Sequence, residues 1–395
     1  MAGVMLLEVG AMFAAIALVS LVASRAGVSP IPLYILAGIA LNQFVLGRLG
    51  LPAVAETTFV EVGANLGIVF LLFFLGLEFH LDRLLADRSR IGSAGLVDFV
   101  VNFGVGLALG VVLFRAALPA LLLAGVVYIS SSAVITKTML DLGWIVNPES
   151  GPLLGTLVFE DLLIAVYLAV VSALVLGGSG LVEIATAVGV ALGFILLLLL
   201  LVYLGTAWFE RVLTTTSAEF FVLRAVGITV LIAGAALAVG VSEAVAAFFV
   251  GMALGSTRFV HELEESLVPI RDVFAAVFFF WIGLVTDPLR LLGVLDVLVV
   301  AAVVTAPAKV LSGYLSGSFY DLTARRSLRV GLAMVTRGEF SLIIGALALA
   351  GAGSTIAPAT ADRFYAFTVG YVLLMSVLGT ALMQTAGVFE RYLAE

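Results

Sequence analysis

The run Leu153-Leu154-Gly155-Thr156-Leu157-Val158-Phe159-Glu160-Asp161-Leu162-Leu163-Ile164 sets two adjacent carboxylates near the middle of an apolar stretch from about Gly151 to Leu176. Roughly 20 apolar residues cross a bilayer. An ionisable side chain at mid-depth is costly there, so by default it faces a wet cavity and acts on what enters it. Neighbours on a helix point about 100° apart. Glu160 and Asp161 therefore cannot share a face: one can meet a cavity and the other a neighbouring helix. We assign Asp161 to a cation, and Glu160 either to a second proton or to a nearby basic group. The alternative is a structural pair neutralised by protonation, because burial disfavours the charged form.

Further charged residues lie within the apolar spans. Lys309, in Thr305-Ala306-Pro307-Ala308-Lys309-Val310-Leu311, reads as a salt-bridge partner of Asp161 that yields when a cation binds, or else as a lysine snorkelling to a helix end. Arg337 and Glu339 are two residues apart, whereas ion pairs along a helix favour spacings of three or four. In an unwound segment they pair with each other, or Arg337 reaches Glu160, or both offset the dipoles of broken helix ends; the last reading is preferred. Asp98 falls inside an apolar span and receives no role, Glu61 also falls in or near a span, and Glu243 sits near an outer helix start, where an acid is tolerated.

The elements that must position these groups are membrane helices. Of 395 residues, 63% are hydrophobic and 11% charged, against about 25% charged in a soluble domain. This excludes a soluble enzyme, and the apolar segments are too long and too uniform for barrel strands. No cysteine is present, and the two histidines, His80 and His261, are expected in loops, so neither disulfides nor a thiolate or histidine metal site is expected. No phosphate loop, nucleophile elbow or cofactor motif occurs, and the net charge of −7 does not suggest a nucleic-acid partner. The first 24 residues lack a basic leader and carry Glu8, so cleavage as a signal peptide is not expected.

Thirteen spans are expected, near 5–24, 31–47, 59–79, 92–114, 119–140, 151–176, 183–208, 219–239, 242–257, 268–286, 291–318, 326–350 and 364–388. The fifth is interrupted at Tyr128-Ile129-Ser130-Ser131-Ser132-Ala133 and the twelfth at Val335-Thr336-Arg337-Gly338-Glu339-Phe340-Ser341. Serines alone would also serve as glue between helices. Paired breaks at matching places in two halves, however, mark a transporter site. The halves, about 1–176 and 219–388, are expected to be inverted repeats joined by a linker helix at 183–208. With the N-terminus outside, thirteen of the 19 lysines and arginines fall in cytoplasmic loops and ends and four (Arg48, Arg115, Arg290 and Arg363) outside, with Lys309 and Arg337 at depth. N-out, C-in is therefore the expected orientation, in the plasma membrane.

At these residues the chain resembles the second monovalent cation/proton antiporter family, especially its Kef-type potassium/proton members. The resemblance rests on Phe74-Leu75-Gly76-Leu77-Glu78, Ser130-Ser131-Ser132-Ala133, Phe159-Glu160-Asp161, Ala247-Phe248-Phe249-Val250-Gly251-Met252 and His261-Glu262-Leu263-Glu264. Phe278-Phe279-Phe280-Trp281-Ile282-Gly283, Lys309-Val310-Leu311 and Arg337-Gly338-Glu339-Phe340 complete it. It implies an all-α polytopic protein with two crossed discontinuous helices, the sodium/proton antiporter fold. It also implies a homodimer in lipid whose core moves against a scaffold. Asp161 would bind cation and proton in turn, Lys309 would be its basic partner, and Ser130, Ser131, Ser132 and Thr156 would supply oxygen ligands.

Glu160 stands where Kef-type members typically carry glutamine, so potassium and sodium, and the charge stoichiometry, stay open, with potassium first. Kef proteins also carry a cytosolic nucleotide-binding domain; none is expected in this chain, so a separate cytosolic regulatory subunit or a truncated sequence is implied. A gated cation channel, a sodium-coupled solute symporter and a sensor subunit without transport are the remaining alternatives.

Overall fold

Backbone N–H and C=O groups in hydrocarbon must bond within their own segment, which selects helices for a chain this apolar. In the computed structural model, which describes residues 2–78, 88–176, 181–238 and 243–391, every regular element is helical except an isolated bridge between Ala352 and Ile356. The first half contains α1 (Ala2–Ala26), α2 (Ile31–Leu41), α3 (Thr58–Glu78), α4 (Arg88–Phe114), α5 (Ala117–Tyr128), α6 (Ser132–Asp141) and α7 (Ser150–Leu176). Next come α8 (Leu181–Leu204), α9 (Thr206–Leu213), α10 (Ala218–Ala238), α11 (Glu243–Gly255) and α12 (Val260–Leu284). The remainder is α13 (Pro288–Leu292), α14 (Leu295–Ser318), α15 (Ala324–Ala333), α16 (Glu339–Ala350), α17 (Pro358–Gln384) and α18 (Ala386–Glu390).

Each expected span has a helical counterpart. Among the described residues, seven helices are long and apolar enough to cross a membrane, or eight if the bent pair α8–α9 is one span. A count of thirteen would require the shorter apolar helices as well, namely Ile31–Leu41, Thr58–Phe74, Ala117–Tyr128, Ala246–Gly255 and Glu339–Ala350. The linker departs from expectation: α8 ends at Leu204 and the chain turns 67° into α9. His261 is not in a loop but in the first turn of α12, exposed. His80 and Arg83 lie outside the described residues. Glu61 and Glu243 stand in the first turns of α3 and α11, as their charge favours.

The principal helix contacts fall into two sets. One gathers α1, α2, α3 and α8 to α12; the other gathers α4 to α7 and α14 to α17, with α7 touching α8 and α17 touching α2 between the sets. In the first set, α3 meets α11 with glycines at the contact: a Cβ on Gly76 would stand 2.1 Å from Phe248 O, and one on Gly251 would stand 2.0 Å from Phe73 O. Only backbones without side chains pack that closely, the small-residue mode of membrane helices. Asn42 closes the end of α12, with its Nδ2 donating to Gly283 O (3.2 Å) and Thr286 O (2.7 Å).

Ion pairs join residues near the helix ends. Arg48 pairs with Asp287 (3.0 Å) and Arg290 with Asp362 (3.4 Å), all expected on the outer side. Arg90 pairs with Asp321 (3.1 Å), and Arg329 with Glu149 (2.7 Å) and Glu390 (2.6 Å), all expected on the cytoplasmic side.

Candidate functional site

Helix α5 stops at Tyr128 and α6 begins at Ser132; α15 stops at Ala333 and α16 begins at Glu339. The two unwound segments touch. Ser131 N donates to Thr336 O (3.3 Å), and Ser341 Oγ donates to Val126 O (3.1 Å), a carbonyl in the last turn of α5. Gly338 is required at this crossing, since a Cβ there would lie 2.3 Å from Ser131 Oγ and 2.6 Å from Ser131 Cβ.

Breaking a helix exposes carbonyls at one end and N–H groups at the other. Arg337, fully buried, turns back on the carbonyl end of α15: its Nη1 donates to Met334 O (3.0 Å), Val335 O (3.0 Å) and Thr336 O (2.9 Å). Tyr371 lies under the guanidinium, 5.9 Å from ring centroid to Cζ, and Ser376 Oγ donates to Arg337 O. Glu339 is the first residue of α16 and accepts from Ser131 Oγ (3.4 Å). A cation at a helix C-terminus and an anion at an N-terminus both offset the dipole. The structure thus brings Arg337 to carbonyls rather than to Glu160 or Glu339, the third of the arrangements considered for it.

Beside the crossing run α4, α7 and α14, carrying Asp98, Glu160 with Asp161, and Lys309. All four side chains are buried. Lys309 Nζ donates to Asp98 Oδ2 (2.7 Å) and to Glu160 Oε1. The expected bridge from Lys309 to Asp161 is thus replaced by one to Asp98 and Glu160. The reason is the helical step: Glu160 and Asp161 diverge, and Glu160 is the one aimed at α14. Glu160 also accepts from Ser130 N (2.6 Å) at Oε2 and from Ser130 Oγ (3.0 Å) at Oε1, while that hydroxyl has Met334 O as an alternative acceptor at 3.2 Å. Glu160 is therefore fully engaged, tying the first break to the lysine.

Asp161 is placed differently. Its Oδ2 accepts from Ser132 Oγ (3.2 Å), and its Oδ1 is buried with no hydrogen-bond partner among the described residues. Thr156 Oγ1 is likewise buried without one. Buried polar atoms are paired in the great majority of cases, and each exception asks for a reason. A bare carboxylate oxygen on Asp161, whose other oxygen meets Ser132 at the first break, suits a dehydrated cation or a proton.

The sequence reading missed what holds Lys309. Asp98 Oδ1 accepts from Asn102 Nδ2 (2.9 Å) and Ser312 Oγ (2.7 Å), and Tyr128 presents its ring 5.4 Å from the ammonium. Asp98 and Asn102 are four apart on α4 and Lys309 and Ser312 three apart on α14, so each pair shares a helix face; that spacing was the available signal. A cavity of about 390 Å³ opens between the first set of helices and the second, lined by Ser20, Ser24 and Ser29 on one side and Thr138, Thr380 and Gln384 on the other. Among the described residues no group of three or more His, Asp or Glu side chains is placed to hold a metal ion.

A family model described as "Sodium/hydrogen exchanger, transmembrane" matches residues 11–385. The chain is 33% identical over 380 residues to the K(+)/H(+) antiporter subunit KhtU of Bacillus subtilis, covering 94% of this chain and 91% of that protein. It is 30% identical over 359 residues to the ammonium/H(+) antiporter subunit AmhT of Alkalihalophilus pseudofirmus, covering 90% and 86%. Its fold is similar to that of the sodium proton antiporter MjNhaP1 from Methanocaldococcus jannaschii, with a TM-score of 0.73, 16% identity and coverage of 98% and 99%. The chain therefore belongs to the transmembrane sodium/hydrogen exchanger family and is a multi-pass cation/proton antiporter rather than an enzyme.

Proposed function

We propose that the protein exchanges potassium for protons by alternating access around Asp161, as a Kef-type member of its family. The observation that carries this is the inequality of the two adjacent carboxylates: Glu160 is saturated by Lys309 and Ser130, whereas Asp161 keeps one buried oxygen unpartnered. A cation takes that oxygen when Asp161 is ionised; a proton takes it otherwise, so the two compete and one drives out the other. Ser132, which donates to Asp161, is the first candidate for a further oxygen ligand and Thr156 a weaker one, while Ser130 and Ser131 bond to Glu160 and Glu339 at the break. Arg337 and Glu339 support the crossing and do not themselves carry the ion.

Potassium is favoured over sodium because the most similar of the relatives above is named a K(+)/H(+) antiporter. Both of the named relatives are antiporter subunits, which supports a separate regulatory chain. The remaining assignments are a homodimer in the plasma membrane with its N-terminus outside. We also assign inverted repeats at about 1–176 and 219–388, joined by the linker helix near 183–208. The helices of the first packing set serve as the scaffold against which the second set moves.

The test is purified protein in liposomes with an internal pH dye and an imposed proton gradient. Potassium, sodium and ammonium are added in turn, with voltage clamped by an ionophore. Recovery of the dye with potassium at the lowest concentration supports the proposal. A lower half-effective sodium or ammonium concentration overturns the choice of ion, and tracer flux without dye recovery overturns exchange.

A further inference from the structure

We propose that Asp98 is a positioning residue for the exchange: it anchors the Lys309 ammonium between itself and Glu160 and so keeps that charge away from Asp161. The inference rests on the reading of Asp161 as the exchange site. An ammonium has three donors. Two are taken, by Asp98 Oδ2 and Glu160 Oε1, and the Tyr128 ring lies 5.4 Å away. Asp98 is itself fixed, because its other oxygen accepts from Asn102 Nδ2 and Ser312 Oγ. Asn102 Nδ2 in turn lies 2.8 Å from Ser312 Oγ. Asp98, Asn102, Ser312 and Lys309 are all fully buried, so this is a built clamp and not a chance surface pair.

Two carboxylates meet this one lysine, and both contacts hold the ammonium on the side of Asp98 and Glu160. The titratable groups around this clamp are Tyr128 on α5, Glu160 on α7 and Lys309 on α14, and those that act on Asp161 are Glu160 beside it and Glu339 on α16. Removing the Asp98 charge weakens the negative field on Asp161 and frees the ammonium to approach it. Both changes favour ionised Asp161, so both act in the same direction: exchange persists to lower pH.

The experiment measures potassium-driven proton exchange in liposomes against pH for the wild type, Asp98→Asn, Asp98→Glu and Ser312→Ala. We expect Asp98→Asn to move the half-maximal pH by about one unit toward acid, a tenfold change in proton activity. Ser312→Ala should move it the same way by less, and Asp98→Glu, which keeps the charge, should return it toward the wild-type value. If Asp98→Asn does not fold, Ser312→Ala alone decides the matter. A lower rate at every pH with an unchanged midpoint, in whichever of the two variants folds, overturns the proposal, because that is what a purely structural role gives. Wild-type liposomes without potassium-dependent proton movement overturn the exchange reading and this inference with it.

Discussion

Replacing Lys309 by methionine removes the ammonium and keeps most of the side-chain volume. In the folded protein Lys309 is fully buried and touches Asp98 and Glu160, both also fully buried. The variant leaves those two carboxylates facing each other without a counter-charge. Removing one partner of a buried ion pair costs about 3–5 kcal/mol. At about 2 °C for each kcal/mol, the melting temperature in detergent should fall by about 6–10 °C. The loss should be larger at pH 9 than at pH 6, because a proton taken up by the carboxylate pair relieves the repulsion and protons are scarcer at high pH. A thermal-unfolding series across that pH range, read by tryptophan fluorescence, gives both numbers. The companion variant Lys309→Met/Glu160→Gln removes a charge from each side and should recover a large part of the loss. An unchanged melting temperature at both pH values would refute the reasoning, since Lys309 would then not be paying for two buried charges.

Gly338→Ala should destabilise the crossing by about 1–3 kcal/mol and slow exchange, because its Cβ would be driven into Ser131; melting and dye recovery measured together check this. Asn42→Ala leaves Gly283 O and Thr286 O without their donor and should cost about 1–3 kcal/mol in thermal unfolding, with the pH midpoint of exchange unchanged. Lowering the pH should raise the potassium concentration needed for half-maximal exchange, because a protonated Asp161 cannot take the cation. Saturating potassium should restore the rate; a maximal rate that falls while the half-effective concentration stays fixed would contradict competition.

Much of the fold was legible because the bilayer constrains it. Apolar length and punctuation located the helices, and the polar interruptions at Ser130 and Arg337 located both breaks. The break positions survive in the structure because residues that fail to fit an apolar helix at mid-depth must be where the helix ends. The turn at Gly205 was not foreseen, because the apolar run was carried on to residue 208; beyond it Thr206, Glu210 and Arg211 make the sequence amphipathic, and the chain bends 67° into α9. In the site, the sequence singled out Glu160, Asp161, Lys309, Arg337 and Glu339 as costly, but not who meets whom. Adjacent carboxylates differ by about 100° of helix rotation, and only the placement of α14 decides which of them faces Lys309. Asp98 was visible as an unexplained charge; its partners on α14 are more than 200 positions away in sequence, at |i−j| of 211 and 214.

The most direct test of the account compares the wild type with Asp161→Asn in the same liposomes, after unfolding curves have shown that both are folded. Potassium-dependent dye recovery is expected in the wild type and none in the variant at any pH. Potassium-dependent proton movement that survives in folded Asp161→Asn would contradict it.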